Sequence, residues 1–224
     1  MKVLLAALTL PLVLAYTASA DWVIESKIES PQLNSNTVTK VKGSKMRVDI
    51  PSSPMGAMSS IIDSNSGDTL QLVHAQKMAV KTTAAQMKQA MEMAMNAAGK
   101  KPDATAPPVK PTGEKEKVGD FDCDIYSWTD GTTTVKLWVA KNHPNAAGLK
   151  ALEQQMKKGV LGSLQQGPDT TTLPGPAIKT EINSGGTKTV TTVVSVKEEN
   201  VDAKEFDLPA GYQSMAMPGA PGAQ

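Results

Sequence analysis

The chain has 224 residues, with 23 Lys and Arg against 22 Asp and Glu, and a formal net charge of +1 at pH 7. Arg47 is the only arginine, although arginine is the residue that most often makes bidentate phosphate contacts. The balanced charge and the scarcity of arginine argue against a nucleic-acid partner.

The N-terminus is typical of a secretory signal peptide. Lys2 is followed by an apolar run over residues 3–15, and three small residues ending at Ala20 precede a polar residue. The run is shorter than the roughly 20 apolar residues that span a bilayer. We therefore expect cleavage near Ala20 and a periplasmic or secreted protein with no transmembrane segment in residues 21–224; the alternative is a retained N-terminal anchor.

Short segments rich in β-branched residues, separated by turn residues, predict an antiparallel meander after residue 21. In the first segment, Trp22, Ile24 and Ile28 alternate with charged residues, which indicates a half-buried strand. The predicted strands of this meander cover residues 22–30, 37–42, 45–50, 58–63, 69–73 and 76–81.

The hydrophobic period changes in residues 83–97, where Met87, Met91 and Met95 recur every four residues among alanines. Alanine, methionine, glutamine and lysine are strong helix formers, so this segment is predicted as a helix. Residues 100–112 contain four prolines and are predicted as an exposed, extended linker.

Strand signals resume at residues 121–128 and 132–140, joined by a predicted two-residue turn at 130–131. This turn would pair Tyr126 with Val135, and it places large apolar side chains on both faces of the hairpin. A sheet with one solvated face does not have this pattern. We therefore expect apolar material, with the two helices as candidates, on the second face.

A second amphipathic helix is predicted from residue 144 or 145, with Leu149, Leu152, Met156 and Val160 on its apolar face. The chain beyond it contains glycine and proline signals and a glycine-centred hairpin. The remaining predicted elements are strands at 177–183 and 187–197, a closing segment at 206–212 and a disordered tail at 213–224.

Residues suited to catalysis are few. His74 and His143 are the only histidines, and neither has a metal-ligand spacing or a nucleophile motif nearby. Cys123 is the only cysteine, and its strand context favours a buried small hydrophobe over a reactive thiol. The sequence therefore predicts neither an enzyme nor a cofactor or metal site.

Five stretches carry a family resemblance when they are read together. They are VKGSKMRVD at 41–49, SIID at 60–63, GDFDCDIY at 119–126, LWVAK at 137–141 and FDLPAGY at 206–212. With these stretches the chain resembles a family of exported bacterial proteins of unknown function, which is similar in fold to the periplasmic carriers of outer-membrane lipoproteins.

The resemblance implies a single α+β domain over residues 21–212. Its fold would be a strongly curved antiparallel sheet, a half-barrel, with two helices covering the concave face. In the carriers, the concave face holds acyl chains and the helices act as a lid. By analogy, the expected ligand is an acyl chain, a lipid or a lipidated protein.

These observations lead to a non-enzymatic envelope protein that binds an apolar ligand. The predicted pocket and lid residues are Met87, Met91, Met95, Leu149, Leu152 and Met156. One alternative is a structural or protein-interaction module whose core is filled. Another is a copper-binding protein, because thioethers at helical spacing are ligands for cuprous ion; a methionine stripe that only packs against the sheet is the simpler interpretation.

Overall fold

The computed structural model describes residues 20–97, 108–131, 133–157 and 170–216. In these residues two α-helices, α1 (Ala84–Ala97) and α2 (Ala146–Lys157), accompany one sheet of twelve strands. The strands are β1 (Trp22–Glu29), β2 (Asn34–Lys42), β3 (Lys45–Ile50), β4 (Met58–Asp63), β5 (Thr69–Val73), β6 (Met78–Thr82), β7 (Lys110–Val118), β8 (Phe121–Asp130), β9 (Thr133–Val139), β10 (Ala177–Ser184), β11 (Thr187–Glu198) and β12 (Gln213–Ala216).

The sheet is open and curled, and its strand order is β12-β6-β5-β4-β3-β2-β1-β11-β10-β9-β8-β7. Neighbouring strands are antiparallel except β12, which pairs in parallel with β6. Strand β1 lies between β2 and β11 and so joins the N-terminal meander to the C-terminal strands. The predicted α+β class, a curved and dominantly antiparallel sheet with two helices, is confirmed.

Side chains alternate across the sheet, and the buried apolar residues that the structure describes form separate clusters. The concave core contains Trp22 and Ile24 of β1, Val41 of β2 and Val196 of β11, and Leu149 of α2 packs on it. The convex core includes Ile61, Leu72, Ala79, Val201 and Phe206. Helix α2 therefore covers the concave face, while the segment after β11 covers the convex face.

Arg47 holds this closing segment on the convex face. Its Nη1 donates to the backbone oxygen of Glu205 over 2.7 Å, its Nε donates to Asp49 Oδ1 over 2.7 Å, and its Nη2 donates to Ser59 Oγ over 3.2 Å. Arg47 is half-buried, and a partly buried guanidinium needs such partners because an unpaired charge away from water is costly. The single arginine therefore has a structural position on this face.

The same network continues to Tyr212 at the end of the segment. Ser59 Oγ lies 2.7 Å from Nε2 of His74, and Nδ1 of His74 contacts the Tyr212 hydroxyl. Ser59 is only 1% exposed. The serine of this contact is buried, and we interpret the contact as a structural connection.

Two predictions about irregular segments differ from the structure. The linker predicted at 100–112 overlaps β7, which begins at Lys110; residues 98–107 lie outside the described residues. Strand β7 is an edge strand with a register shift between Pro111 and Lys115, a position where proline is tolerated. The tail predicted as disordered begins with β12, because residues 213–216 find a pairing edge on β6.

The hairpin of β8 and β9 has a different register from the predicted one. Tyr126 pairs with Leu137 rather than with Val135, because the loop begins after Asp130. A shift of two residues keeps every side chain on its predicted face, since strands have a period of two. The face that contains Tyr126 and Leu137 packs on Leu173, as the two-sided apolar pattern requires.

The opposite face of this hairpin contributes Trp138 to the buried cluster that also contains Leu149 of α2, and charged side chains lie beside the ring. Trp138 is 4% exposed, and the Nζ of Lys179 lies 4.2 Å from the centre of its ring. Nε1 of Trp138 donates to Glu116 Oε2 over 2.8 Å. Long side chains can cover an aromatic ring with their aliphatic stems, so Lys179 adds to the apolar cover of this face.

Candidate functional site

A cavity of about 410 Å³ lies between α2 and the concave face of the sheet. Its walls are mainly apolar. The apolar side chains that line it include Leu149, Leu152 and Met156 from α2, and Leu137, Ile178, Ile182 and Val193 from the sheet. A volume of 300 to 1,000 Å³ is usual for sites that bind small molecules, so the cavity is of adequate size for part of a lipid.

The edge of the cavity is polar. Glu153 and Lys157 of α2 form an ion pair of 3.2 Å one helical turn apart, and the Thr170 hydroxyl donates to Glu153. Glu153 and Lys157 are the only charged residues among the described residues that line the cavity. They neutralise each other, so the part of the lining that the structure describes has no net charge that would select an anion or a cation.

The floor of the cavity also contains hydroxyl groups. Thr180 of β10 and Thr191 of β11 are directly paired across the strands and both line the cavity, as does Ser26 of β1. On β10 the threonine lies between Ile178 and Ile182, two residues away on either side. The floor is therefore an apolar surface interrupted by a short polar strip.

A β-bulge decides which residues of β11 face the cavity. Glu25 pairs with Ser195, but Ser26 pairs with Val193, so Val194 is the extra residue. A bulge reverses the alternation of side chains beyond it. Val193 and Thr191 consequently join Val196 on the concave side, and Val194 is 64% exposed.

The N-terminal end of α2 is fixed to the sheet by a close contact and by a hydrogen bond. Nδ2 of Asn145 donates to the backbone oxygen of Val196 over 2.6 Å. Gly148 is buried against Trp22, and a Cβ atom at this position would lie 2.7 Å from Cδ2 of the ring. A glycine is therefore required where the helix crosses β1.

The C-terminal end of α2 is fixed by Gln155, which is 7% exposed. Its Nε2 donates to the backbone oxygen of Gly43, and its Oε1 accepts from the Ser64 hydroxyl over 2.5 Å. These groups lie in the turns after β2 and β4. Contacts at both ends therefore hold α2 against the sheet, and the helix forms the roof of the cavity.

The structure brings together three of the six predicted site residues, namely Leu149, Leu152 and Met156. Met87 is half-buried near the start of α1 and is not among the residues that line the cavity. The side chains of Met91 and Met95 lie outside what the structure describes.

Sequence reasoning missed the sheet residues of the cavity. Ile178 is the extra residue of a second bulge, between Ala177 and Lys179, and is 2% exposed. Strand alternation alone does not reveal a bulge, so no sequence signal placed Ile178 or Val193 at this site.

The candidate reactive residues lie elsewhere. Cys123 is 1% exposed, and burial raises the pKa of its thiol, as the buried interpretation predicts. The His143 ring lies 4.6 Å from that of Phe121, and burial lowers the pKa of this histidine. Within the described ranges, no group of three or more His, Cys, Asp or Glu side chains is arranged to hold a metal ion.

The fold and the cavity define an α+β protein with an open curled sheet and one helix fixed over an apolar hollow. The chain matches the family described as "Domain of unknown function (DUF4412)" over residues 22–212, and it belongs to that family. The family resemblance noted in the sequence is thereby confirmed. No curated protein matches the chain. None of the helices in the described part of the chain has the length and apolar character needed to cross a membrane.

Several solved structures are similar in fold. The chain is 13% identical to PNGF-II, with a TM-score of 0.43. The match covers 89% of this chain and 32% of PNGF-II, so the chain spans about a third of the length of PNGF-II. It is 7% identical to the Mycobacterium tuberculosis lipoprotein LppX, with a TM-score of 0.44 and coverage of 82% and 88%. A DUF1329 family protein from Desulfovibrio piger is 12% identical, with a TM-score of 0.39 and coverage of 85% and 91%. At these values the similarities carry no argument about ligands.

Proposed function

We propose that this protein is a non-enzymatic binding protein of the cell envelope, and that its cavity takes the acyl chain of a lipid or of a lipidated protein. The observation that supports the proposal is the hollow between α2 and the sheet, lined by Leu152, Met156, Ile182 and Val193. The signal-peptide pattern of the sequence supports export.

The energetic argument depends on burial. Moving apolar groups from water into such a cavity contributes about 0.8 kcal/mol per methylene. On the order of ten buried methylenes would therefore contribute about 8 kcal/mol before the entropic cost of association. Because the cavity walls are preformed and α2 is fixed, little ordering of the protein opposes binding.

Native mass spectrometry of protein purified from its own envelope tests the proposal. We expect a bound mass that corresponds to an acylated compound and that disappears after delipidation and refolding. A clean unliganded mass, together with no uptake of a fluorescent fatty acyl probe, would contradict the proposal. That outcome would favour the alternative, a structural or protein-interaction module.

A pair of surface variants connects binding to this cavity. Ile182 lines the cavity and is 39% exposed, whereas Val194 is 64% exposed and is not among the lining residues. Ile182→Glu introduces a charge beside the bound chain and should weaken probe binding at least tenfold, because the bound apolar chain would remove water from the ionised carboxylate. Val194→Glu is the matched control and should bind normally. Equal binding by the two variants would place the ligand elsewhere.

A further inference from the structure

The hydroxyl groups of Thr180 and Thr191 form a polar strip on the otherwise apolar cavity floor. A site for a bare hydrocarbon does not need such groups. Thr180 and Thr191 are paired directly across β10 and β11, which places their Cβ atoms about 5 Å apart. Neither hydroxyl makes a hydrogen bond to another residue that the structure describes. Two neighbouring donors therefore face the hollow with their hydrogen-bonding capacity free.

The surroundings of this strip determine where a polar group of the ligand would lie. Along β10, Ile178 and Ile182 line the cavity on either side of Thr180, and Val193 lies two residues beyond Thr191 on β11. A ligand that covers the floor would thus meet apolar surface, then the two hydroxyls, then apolar surface again. The strip fits a polar group located inside a chain rather than a bare hydrocarbon.

The charge of the site indicates whether the polar group of the ligand is ionised or neutral. The described charged groups that line the cavity are Glu153 and Lys157, which pair with each other at 3.2 Å on the side of α2. Desolvating an ionised carboxylate without its own cation is expensive, whereas a neutral carbonyl can accept from a hydroxyl at modest cost. An uncharged acceptor is therefore favoured over a free acid.

We propose that Thr180 and Thr191 recognise the ester carbonyl of an acyl ester, so that the ligand is an esterified lipid rather than a free fatty acid or an alkane. This inference rests on the proposed function, because it assigns the ligand class of the same cavity. The two threonines donate to the carbonyl oxygen, while the flanking isoleucines and Val193 contact the chain on either side.

The test compares three pyrene-labelled probes of equal chain length by fluorescence titration, namely an alkyl ester whose carbonyl lies inside the chain, the free acid and the alkane. We expect the ester to bind about five- to tenfold more tightly than the alkane, the scale of one or two neutral hydrogen bonds. Replacing both threonines, Thr180→Val with Thr191→Val, keeps the side-chain shape and should reduce ester affinity to that of the alkane. Binding of the alkane should not weaken.

Thr192→Val is the matched control. Thr192 is the neighbour of Thr191 on β11 but pairs with Lys27 and Lys179, and it is not among the residues that line the cavity. Its replacement should leave all three affinities unchanged. Circular dichroism and thermal unfolding of each variant establish that the fold is retained.

The outcomes separate the two proposals. The assignment of an ester would be overturned if the protein bound the ester and the alkane with equal affinity. It would also be overturned if the double variant lost affinity for both probes equally. Either result would leave the proposal of apolar binding intact. Preferential binding of the free acid would also overturn the assignment of an ester. Failure of all three probes to bind would overturn the proposed function and this inference together.

Discussion

Gly148 of α2 lies against the indole ring of Trp22 in β1, so closely that a Cβ atom at position 148 would be 2.7 Å from Cδ2 of Trp22 and 2.8 Å from Cγ1 of Val196. This contact sets the distance between helix and sheet at one end of the cavity. Farther along α2, Leu152 and Met156 line the cavity.

Gly148→Val should therefore destabilise the protein by about 1 to 3 kcal/mol, the usual cost of overpacking a core. The neighbouring Ala147→Val is the control. Because Ala147 is exposed on the same helix, this replacement should reduce stability only by the difference in helix propensity between alanine and valine. Urea unfolding followed by tryptophan fluorescence measures both variants. Equal stability of the two would show that the contact is not a constraint.

Gln155 is the second fixed point of α2, and its replacement should loosen the C-terminal end of the helix. Gln155→Ala leaves the Gly43 carbonyl and the Ser64 hydroxyl without this partner and should cost about 1 to 3 kcal/mol. Gln154→Ala, at the exposed neighbouring position, should change stability by less than about 0.5 kcal/mol. Thermal unfolding and hydrogen exchange of α2 amides distinguish the two variants.

Arg47 should be important for holding the segment that ends at Tyr212. Arg47→Met removes its bonds to Glu205, Asp49 and Ser59 and should destabilise the fold by about 2 to 3 kcal/mol. Lys45→Met is the control, because Lys45 lies two residues away on the same face of β3. Its Nζ lies 4.0 Å from Asp207 Oδ1, so its replacement should have little effect on stability. Limited proteolysis should cut the segment faster in the Arg47 variant; similar rates in both variants would contradict this role.

Glu116 gives a prediction about pH. Hydrogen bonds from Lys179 and then from Trp138 hold the pKa of its carboxyl below the ordinary value of 4.5. A lowered folded-state pKa contributes stability above the ordinary value, and that contribution disappears as the pH falls through the folded-state pKa.

The wild-type protein should consequently exceed Glu116→Gln in stability at pH 7 by on the order of 0.5 kcal/mol, since the site is exposed and screened. The difference should shrink below pH 4.5. Glu114→Gln is the comparison variant, because its contact with Lys136 is 3.9 Å long. Denaturant unfolding at several pH values measures both, and a difference that grows on acidification would refute the prediction.

Much of the fold could be read from local pattern. Hairpin signals and alternation located the strands from β1 to β6 and from β8 to β11 near their observed positions, and helical spacing located both helices. The register of the β8–β9 hairpin was predicted two residues away from the observed one, yet the faces of Tyr126 and Trp138 were correct. A register shift by an even number of residues leaves each side chain on the same face of the sheet, so the predicted core residues of the hairpin were still correct.

The edges of the sheet were harder to predict. Strand β7 is rich in lysine and glutamate and is almost wholly exposed, so it has no hydrophobic alternation to detect. Strand β12 has four residues and exists because β6 offers an edge for parallel pairing. Such strands depend on a neighbour that is distant in sequence, which local propensity does not report.

The sequence by itself determined most of the strands, the two helices and the apolar face of α2, because periods of two and 3.6 residues are local properties of the chain. The curvature of the sheet was implied only by the family resemblance. The tertiary structure alone decided that α2 is fixed, through Gly148 and Gln155, and that Thr191 and Val193 face the cavity. The physical reason for the latter is the bulge at Val194, since one extra residue opposite β1 reverses which side chains reach the concave face.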